Sequence, residues 1–508
     1  MSLLGVDIGT GSVKVAVIDE EANLLAKASR EYRINSPQSG HVEINSSDMW
    51  DAFLVCLQEI FSGSSAAKNI QAIGIACLCP GLTAFDNEGR ILVQPILYSD
   101  QRSIEEADIF RHTIGEDKFF SVAANNIMAG AISGTSMLWV KRKLPEVYSK
   151  THMFGHVNTL IAHHLTGVYA IDPSNASYTG FFETAGNRTW SKDFCEAVGI
   201  DQGKLPPVLS SEEVVGGLVR QELIDLGFRC GIPVVIGGGD TACASLAAGV
   251  VDQGDVCESV GTTNVLTVCV DKPVFDRAFI NRCHVIKDRW IYQGAMSHTG
   301  ASLKWFRDEF CRDLKEKSAQ EGLSTFSLMD AEAAGSSVGA GGIIFLPYMM
   351  GERSPVWDPF ARGVFTGLSL HSGRDDMLRA VLESCGYGLR QLAEKAEEIT
   401  GRRFDEFISI GGGAKSEFWA QIKADIIGKS IYILDINDAA PIGAALLAGV
   451  GCKAFPNAAT AARKVKKTVV KKVIPTTDAK NIYDAAYRKY IALYPLLKDY
   501  FRIEIKNG

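Results

Sequence analysis

The stretch 3-LLGVDIGTGSVKVAVIDEEANLL-25 decides the fold, because a Gly9-Thr10-Gly11 core occurs in several nucleotide loops with different architectures behind them. A dinucleotide fingerprint needs Gly-x-Gly-x-x-Gly running into a helix. Gly9 and Gly11 fill the first two positions, but Lys14 stands at the third. A Walker loop needs Gly-Lys-Ser/Thr after four spacer residues, which this stretch lacks. The following residues, Val13 to Ile18, are β-branched and alternate with period two, the pattern of a strand. The unit is therefore strand, tight glycine turn, strand. Its tip offers backbone N–H groups and hydroxyls at Thr10, Gly11 and Ser12, together with Lys14, which suit phosphate oxygens. Asp7 suits Mg²⁺, held mostly through water. An ordinary hairpin with a glycine turn explains the same residues without any ligand.

The parts recur. The segment 257-CESVGTTNVLTVCVDKPV-274 repeats the design, with Gly261 and Thr262 at its tip. A second element is also present twice. Both 232-IPVVIGGGDTACASLAAGV-250 and 407-FISIGGGAKSEFWAQIKADIIG-428 read as an apolar strand, three glycines and a helix. Glycines let a ligand approach the backbone, and a helix N-terminus favours anionic groups. Four such elements in this order predict a duplicated α/β fold with a nucleotide in the cleft between two domains. The division is expected after the helix near Val250, giving domains 1–250 and 251–508.

Length and composition agree. A chain of 508 residues exceeds one ordinary core, and 46% hydrophobic with 22% charged residues is typical of a globular protein. The net charge of −7 is spread along the chain and argues against nucleic acid as a partner. No apolar run reaches the length of a membrane span, and the start shows no secretory signal, so a cytoplasmic protein is expected. The 12 cysteines are scattered, as reduced core residues are. No His or Cys set completes a metal shell around Cys77 and Cys79. The pairs His152/His156 and His163/His164 lack a carboxylate at metal spacing and read as structural. The basic run Ala462 to Val473 reads as a solvated edge strand whose lysines block aggregation.

Nearly the whole chain resembles the FGGY family of carbohydrate kinases. The specific stretch is 363-GVFTGLSLHSGRDDMLRAVLE-383, which is similar to the family's C-terminal signature at every constrained position. The segment 351-GERSPVWDPFARG-363 is also characteristic, and 172-DPSNAS-177 and 487-YRKYIALYPLLK-498 are similar to the xylulokinase branch. The resemblance implies duplicated ribonuclease-H-like, actin-like ATPase domains and ATP-dependent phosphorylation of a small sugar. A ketopentose such as xylulose is the default acceptor. It also implies ATP and Mg²⁺ as cofactors and a homodimer. Departures are visible: Ser136 stands where the family has lysine, and Asp438 where a glutamate is usual.

Carried onto this chain, the resemblance makes Asp240 the catalytic base. Thr10, Gly11, Ser12, Lys14, Gly261 and Thr262 should meet the phosphates. Gly300, Gly412 and Gly413 resemble glycines that contact ADP, and Asp7 is the metal candidate. Taken alone, Asp240 also reads as an ordinary helix N-cap, and Gly300 as a helix-start glycine. The acceptor pocket falls to Cys79, Pro80, Tyr98, Asp240 and Thr241. Xylulokinases commonly carry Met-His where this chain has Cys79-Pro80, and asparagine where it has Thr241. Tyr98 replaces a usual tryptophan, either as an aromatic wall under the sugar or as a core residue. The altered pocket leaves another polyol, a sugar acid or a signalling sugar derivative open as acceptors. From other classes, a non-catalytic sugar sensor on the same fold and a filament ATPase compete. The intact hairpins and aspartate oppose the sensor, and the C-terminal signature opposes the filament.

Overall fold

The opening hairpin forms as its alternation requires. Strand β1 (Ser2–Ile8) pairs antiparallel with β2 (Ser12–Asp19), which sets Asp7 across from Lys14 at the open end. The computed structural model describes residues 1–63, 69–436, 438–466 and 469–503. In it, β1 and β2 join β3 (Leu24–Glu31), β4 (Ile70–Cys77), β5 (Val214–Gly217) and β6 (Pro233–Gly239) in a six-stranded sheet of order β5-β6-β4-β1-β2-β3. A seven-stranded sheet follows, of β7 (Val256–Val260), β8 (Asn264–Val270), β9 (Ile280–Cys283), β10 (Trp290–Met296), β11 (Glu406–Ile410), β12 (Ser430–Leu434) and β13 (Val469–Val473). Its order is β9-β10-β8-β7-β11-β12-β13.

The duplication is explicit in these orders. β10-β8-β7-β11-β12-β13 reproduces β3-β2-β1-β4-β6-β5, with the same parallel and antiparallel neighbours. Strand β9 has no counterpart in the first sheet. One expected equivalence is corrected. Gly237–Gly239 end β6, whereas Gly411–Gly413 follow β11, the counterpart of β4. The two triple-glycine units therefore stand at different places in the repeat. The true counterpart of helix α1 (Asp240–Ala248) is the helix after β12, Ala439–Gly451, so Asp438 answers to the Asp240 region. Glycine runs recur wherever backbone must approach backbone or ligand, so they do not mark register by themselves.

Three further helices complete the frame: α2 (Thr299–Phe310), α3 (Arg374–Thr400) and α4 (Glu417–Ile427), with α5 taken as Ala439–Gly451. Helix α5 packs on β1, β4 and α1, although it lies late in the chain. Together α1 and α5 carry a core of small residues between the two sheets. Contact is backbone to backbone. A Cβ at Gly5 would fall 1.8 Å from the Pro441 carbonyl oxygen, one at Gly74 2.0 Å from that of Ala444, and one at Gly443 1.9 Å from that of Cys243.

A separate five-stranded sheet, drawn from segments before and after β4 in the chain, includes Gly81–Phe85 paired with Ile91–Leu97. The basic run departs from expectation in part. Ala462–Lys464 end a helix, residues 467 and 468 lie outside the described residues, and Val469–Val473 form the exposed edge strand β13. No helix among the described residues is long and apolar enough to cross a membrane.

Gly74→Ala should destabilise the fold by about 1–3 kcal/mol or more, because an added methyl meets α5 backbone that cannot yield alone. Gly63→Ala, where nothing among the described residues lies within 4 Å of an added Cβ, should stay within about 0.5 kcal/mol. Denaturant melts of both variants check this; equal midpoints would refute the close-packing account.

Candidate active site

The parallel strands β1, β4 and β6 end side by side. Asp7 lies opposite Ala76 on β4, and Gly238 and Gly239 of β6 lie opposite Ala76 and Cys77. Three chain segments thus leave the sheet together at its carboxyl edge, where open α/β sheets bind ligands. They are the Thr10–Ser12 tip, the Cys79–Pro80 segment and Asp240.

Asp240 is not an N-cap. Gly239 holds that position, and Asp240 is the first helical residue of α1. Its Oδ1 accepts from the Thr241 backbone N–H at 2.5 Å and from the Thr241 hydroxyl at 3.1 Å. The backbone beneath is fixed by a buried relay that sequence reasoning used only as a family marker. The Gly239 N–H donates to Ser174 Oγ at 2.9 Å, and Ser174 donates on to Asp172. Asp172 also accepts from Asn158, Asn175 and the Ser174 N–H, at 2.9, 2.7 and 2.7 Å. Burial raises the Asp172 carboxyl above its ordinary value, while these hydrogen bonds pull it down.

Asp7 is buried beside Asp240. Burial first, then the charge of Asp240, push its carboxyl up to about 7, with Lys14 acting in the other direction. Its Oδ1 has no hydrogen-bond partner among the described residues. A buried carboxylate oxygen without a donor fits a cation, although among the described residues no group of three or more His, Cys, Asp or Glu side chains is arranged to hold a metal by itself. Lys14 is engaged: its Nζ lies 3.3 Å from Asp438 Oδ1, while Lys27 takes Asp438 Oδ2 at 3.1 Å. Asp438 is the N-cap residue of α5, so this pair ties the first hairpin to the helix at the junction.

The expected nucleotide-side residues come together on the second sheet. The second hairpin tip, Gly261 and Thr262, is exposed. The first turn of α2 lies against it: Ala301 N–H donates to the Thr262 carbonyl at 2.9 Å, and a Cβ on Gly300 would sit 1.9 Å from the Gly261 carbonyl oxygen. Gly300 is therefore required by its seat on the hairpin, beyond starting a helix. Gly411–Gly413 lie over Val260, and Gly412 is open to solvent. The helix does not begin at these glycines as expected. A 3₁₀ turn, Gly412–Lys415, intervenes, and Ser416 caps α4 by accepting from the Trp419 N–H. Beneath the hairpin lies a fully buried ion pair, Glu258–Lys423, whose carboxylate also accepts from Ser409 and Asn264. The signal for it was Glu258 inside the apolar run 256-VCESV-260 and Lys423 among the apolar residues of 418-FWAQIKADII-427.

On the expected acceptor side, Gly81 pairs with Leu97, so Pro80 and Tyr98 follow at the same end of that ladder. Tyr98 is 39% exposed, which removes the core alternative. Cys79 is half-buried, and burial raises its thiol well above the ordinary value, so it is not a thiolate. The histidines serve packing. His156 bonds to Ser133 Oγ at 2.8 Å, His163 stacks on Tyr169 and His164 meets the Trp50 edge.

Two family models cover the chain: the FGGY family of carbohydrate kinases, N-terminal domain, over residues 2–247, and its C-terminal domain over 257–452. The chain belongs to the FGGY family of carbohydrate kinases. This FGGY kinase is 28% identical to the xylulose kinase of Bacillus subtilis (strain 168), over 88% of each chain. It is 26% identical to the gluconokinase of the same organism, over 88% of this chain and 86% of that one. The crystal structure of xylulose kinase from Rhodospirillum rubrum superposes with a TM-score of 0.90 at 26% identity, covering 99% of this chain and all of that one. The fold is thus the actin-like, ribonuclease-H-like one of these kinases. The chain is a sugar kinase, a phosphotransferase with an alcohol acceptor, of a family that uses ATP.

The Asp7 carboxyl carries a sign prediction. Its value in the folded chain, about 7 against an ordinary 3.8, means that folding favours the protonated form, so its contribution to stability is lost as pH rises toward 7. Asp7→Asn should therefore raise the nucleotide-free melting point at pH 8, by about 1–4 kcal/mol of stability, and by less at pH 5. Thermal melts at the two pH values test it. A uniform or negative shift would contradict the assigned burial cost.

Proposed function

We propose that the chain transfers the γ-phosphoryl group of Mg-ATP to a hydroxyl of a small sugar, with a ketopentose such as xylulose as the first acceptor to test. The observation that carries this reading is Asp240, held half-buried at the sheet's carboxyl edge beside Asp7, with Cys79, Pro80 and Tyr98 on the acceptor side.

In this reading Asp240 takes the proton of the attacking hydroxyl while its oxygen forms a bond to the γ-phosphorus and the bond to ADP breaks. The relay through Ser174 and Asp172 fixes the backbone beneath Asp240 and keeps it in register. Thr10, Gly11 and Ser12 of the first hairpin, with Lys14, and Gly261 and Thr262 of the second, take the phosphates. Gly412, open to solvent, would face the nucleoside, with Gly300 and Gly413 packed beside it against the second hairpin and its strand. Thr241 donates its hydroxyl to Asp240, orients it, and would contact the sugar. Asp7 would hold Mg²⁺, which when bound supplies neutralisation of phosphate charge.

Asp240→Asn should reduce kcat at least about a hundredfold while ATP still binds. Coupled assay of ADP release across ketopentoses, polyols and sugar acids, beside calorimetry with ATP, decides it. Retained turnover in the variant would exclude the base role. A protonated Asp7 cannot hold a cation, so Mg-ATP affinity should rise between pH 6 and pH 8 by about tenfold, and Asp7→Asn should flatten that dependence. Titration calorimetry at several pH values would expose a flat wild-type profile if Asp7 is not the ligand.

A further inference from the structure

Strand β9 is the one strand of the second sheet without a counterpart in the first, and it delivers a charge into the site. Arg282 lies on β9, across from Ile291, and is 1% exposed. Its guanidinium lies flush on the backbone beside the base: a Cβ on Gly239 would sit 2.9 and 3.1 Å from its two terminal nitrogens. It stacks over the Tyr178 ring at 5.3 Å and donates one long hydrogen bond, 3.3 Å, to the Tyr178 hydroxyl. Its Nε and one Nη have no partner among the described residues. Among the described residues no carboxylate lies within ion-pair distance of it, yet Cys79, Asp240 and Asp172 are among its charged and titratable neighbours, with His284, Cys243 and Cys283.

The strand is clamped to the first half of the chain. The Asn281 N–H donates to Asn125 Oδ1 at 3.0 Å, the Asn125 amide donates back to the Asn281 carbonyl at 2.7 Å, and the Cys283 N–H donates to Ser177 Oγ at 3.1 Å. So placed, the guanidinium cannot swing out to water. A buried guanidinium with idle donors is costly unless a ligand supplies oxygens. Its surroundings are those of the acceptor pocket, Cys79 and Gly239–Asp240, and the phosphate hairpins are not among them.

We propose that Arg282 is an acceptor-binding residue, donating to oxygens of the sugar held against Asp240, and that this acceptor is uncharged. The charge follows from the neighbours. Arg282 is one buried cation shared by two carboxyl neighbours, Asp240 and Asp172, so an anionic acceptor would add a third acidic group to a single cation. Neutral hydroxyl or carbonyl oxygens use the free N–H groups without that penalty. This inference rests on the kinase reading above and deepens it by excluding sugar acids.

The test is acceptor binding and turnover in wild type, Arg282→Gln and Arg282→Lys. D-xylulose, erythritol and D-gluconate serve as probes, by calorimetry in the presence of a non-hydrolysable ATP analogue and by ADP release. Expected are binding of a neutral probe by wild type, no turnover of D-gluconate, and a rise of at least about thirtyfold in KM or Kd for the neutral probe in Arg282→Gln. Lys should recover part of that loss, the ATP KM should stay within about threefold, and the melting point should hold or rise, because few native bonds are lost. A lowered melting point with unchanged acceptor KM would make Arg282 structural and overturn the proposal, as would a raised ATP KM alone. D-gluconate binding in preference to the neutral probes, or no neutral probe binding at all, would overturn the uncharged acceptor. Loss of the kinase reading shows separately, as ADP release indifferent to Asp240→Asn.

Discussion

Helix α5 rests on the backbone of β1 and β4, and the site depends on that contact. Gly5, Gly74 and Gly443 leave no side chain in the way, so helix carbonyls come where a methyl group would otherwise be. That distance allows two small-residue helices, α1 and α5, to share one thin core between the sheets. Helix α1 begins with Asp240, and α5 begins beside Asp438, which holds Lys14 of the first hairpin. Asp240 and the first hairpin are therefore positioned by one packing constraint. Interiors packed at crystal density transmit such constraints with little slack.

Electrostatics at this junction is arranged against local stability. Asp7 is pushed toward neutrality by burial and by Asp240, while Arg282 is kept charged with donors idle. Each group alone is unfavourable in a low-dielectric site. Mg-ATP and an acceptor would supply the cation and the oxygens that these groups lack. Perturbed carboxyls and unpaired buried donors concentrate where ligands bind. The Glu258–Lys423 pair differs: it is fully buried and satisfied by Ser409 and Asn264, and it braces the second hairpin from beneath. Its loss would leave a lone buried charge, which is the costly case.

Much of this architecture was legible in the residues. Val13 to Ile18 alternate with period two, and that alone separates a hairpin from a Rossmann or Walker loop. Repetition of the hairpin at Gly261 announced the duplication, and the matching strand orders follow it. Local pattern misled where glycines were counted as register. Gly237–Gly239 and Gly411–Gly413 look alike because both permit close approach, yet they end non-equivalent strands. Asp240 looked like an N-cap because an Asp preceding a helix usually is one, whereas one residue of shift makes it the first helical residue with its carboxylate free to face the site.

What the sequence determined by itself is therefore periodic or local: the hairpins, the strands and helices, the duplicated order and the family signature at 363–383. Tertiary structure alone decided which distant groups meet. Arg282 reaches Gly239, next to Asp240, from an extra strand, Asp438 takes Lys14 across more than four hundred residues, and Asp172 supports Gly239 through Ser174. These pairings arise when two sheets close on shared helices. Their energies depend on distance and burial, which no spacing along the chain encodes.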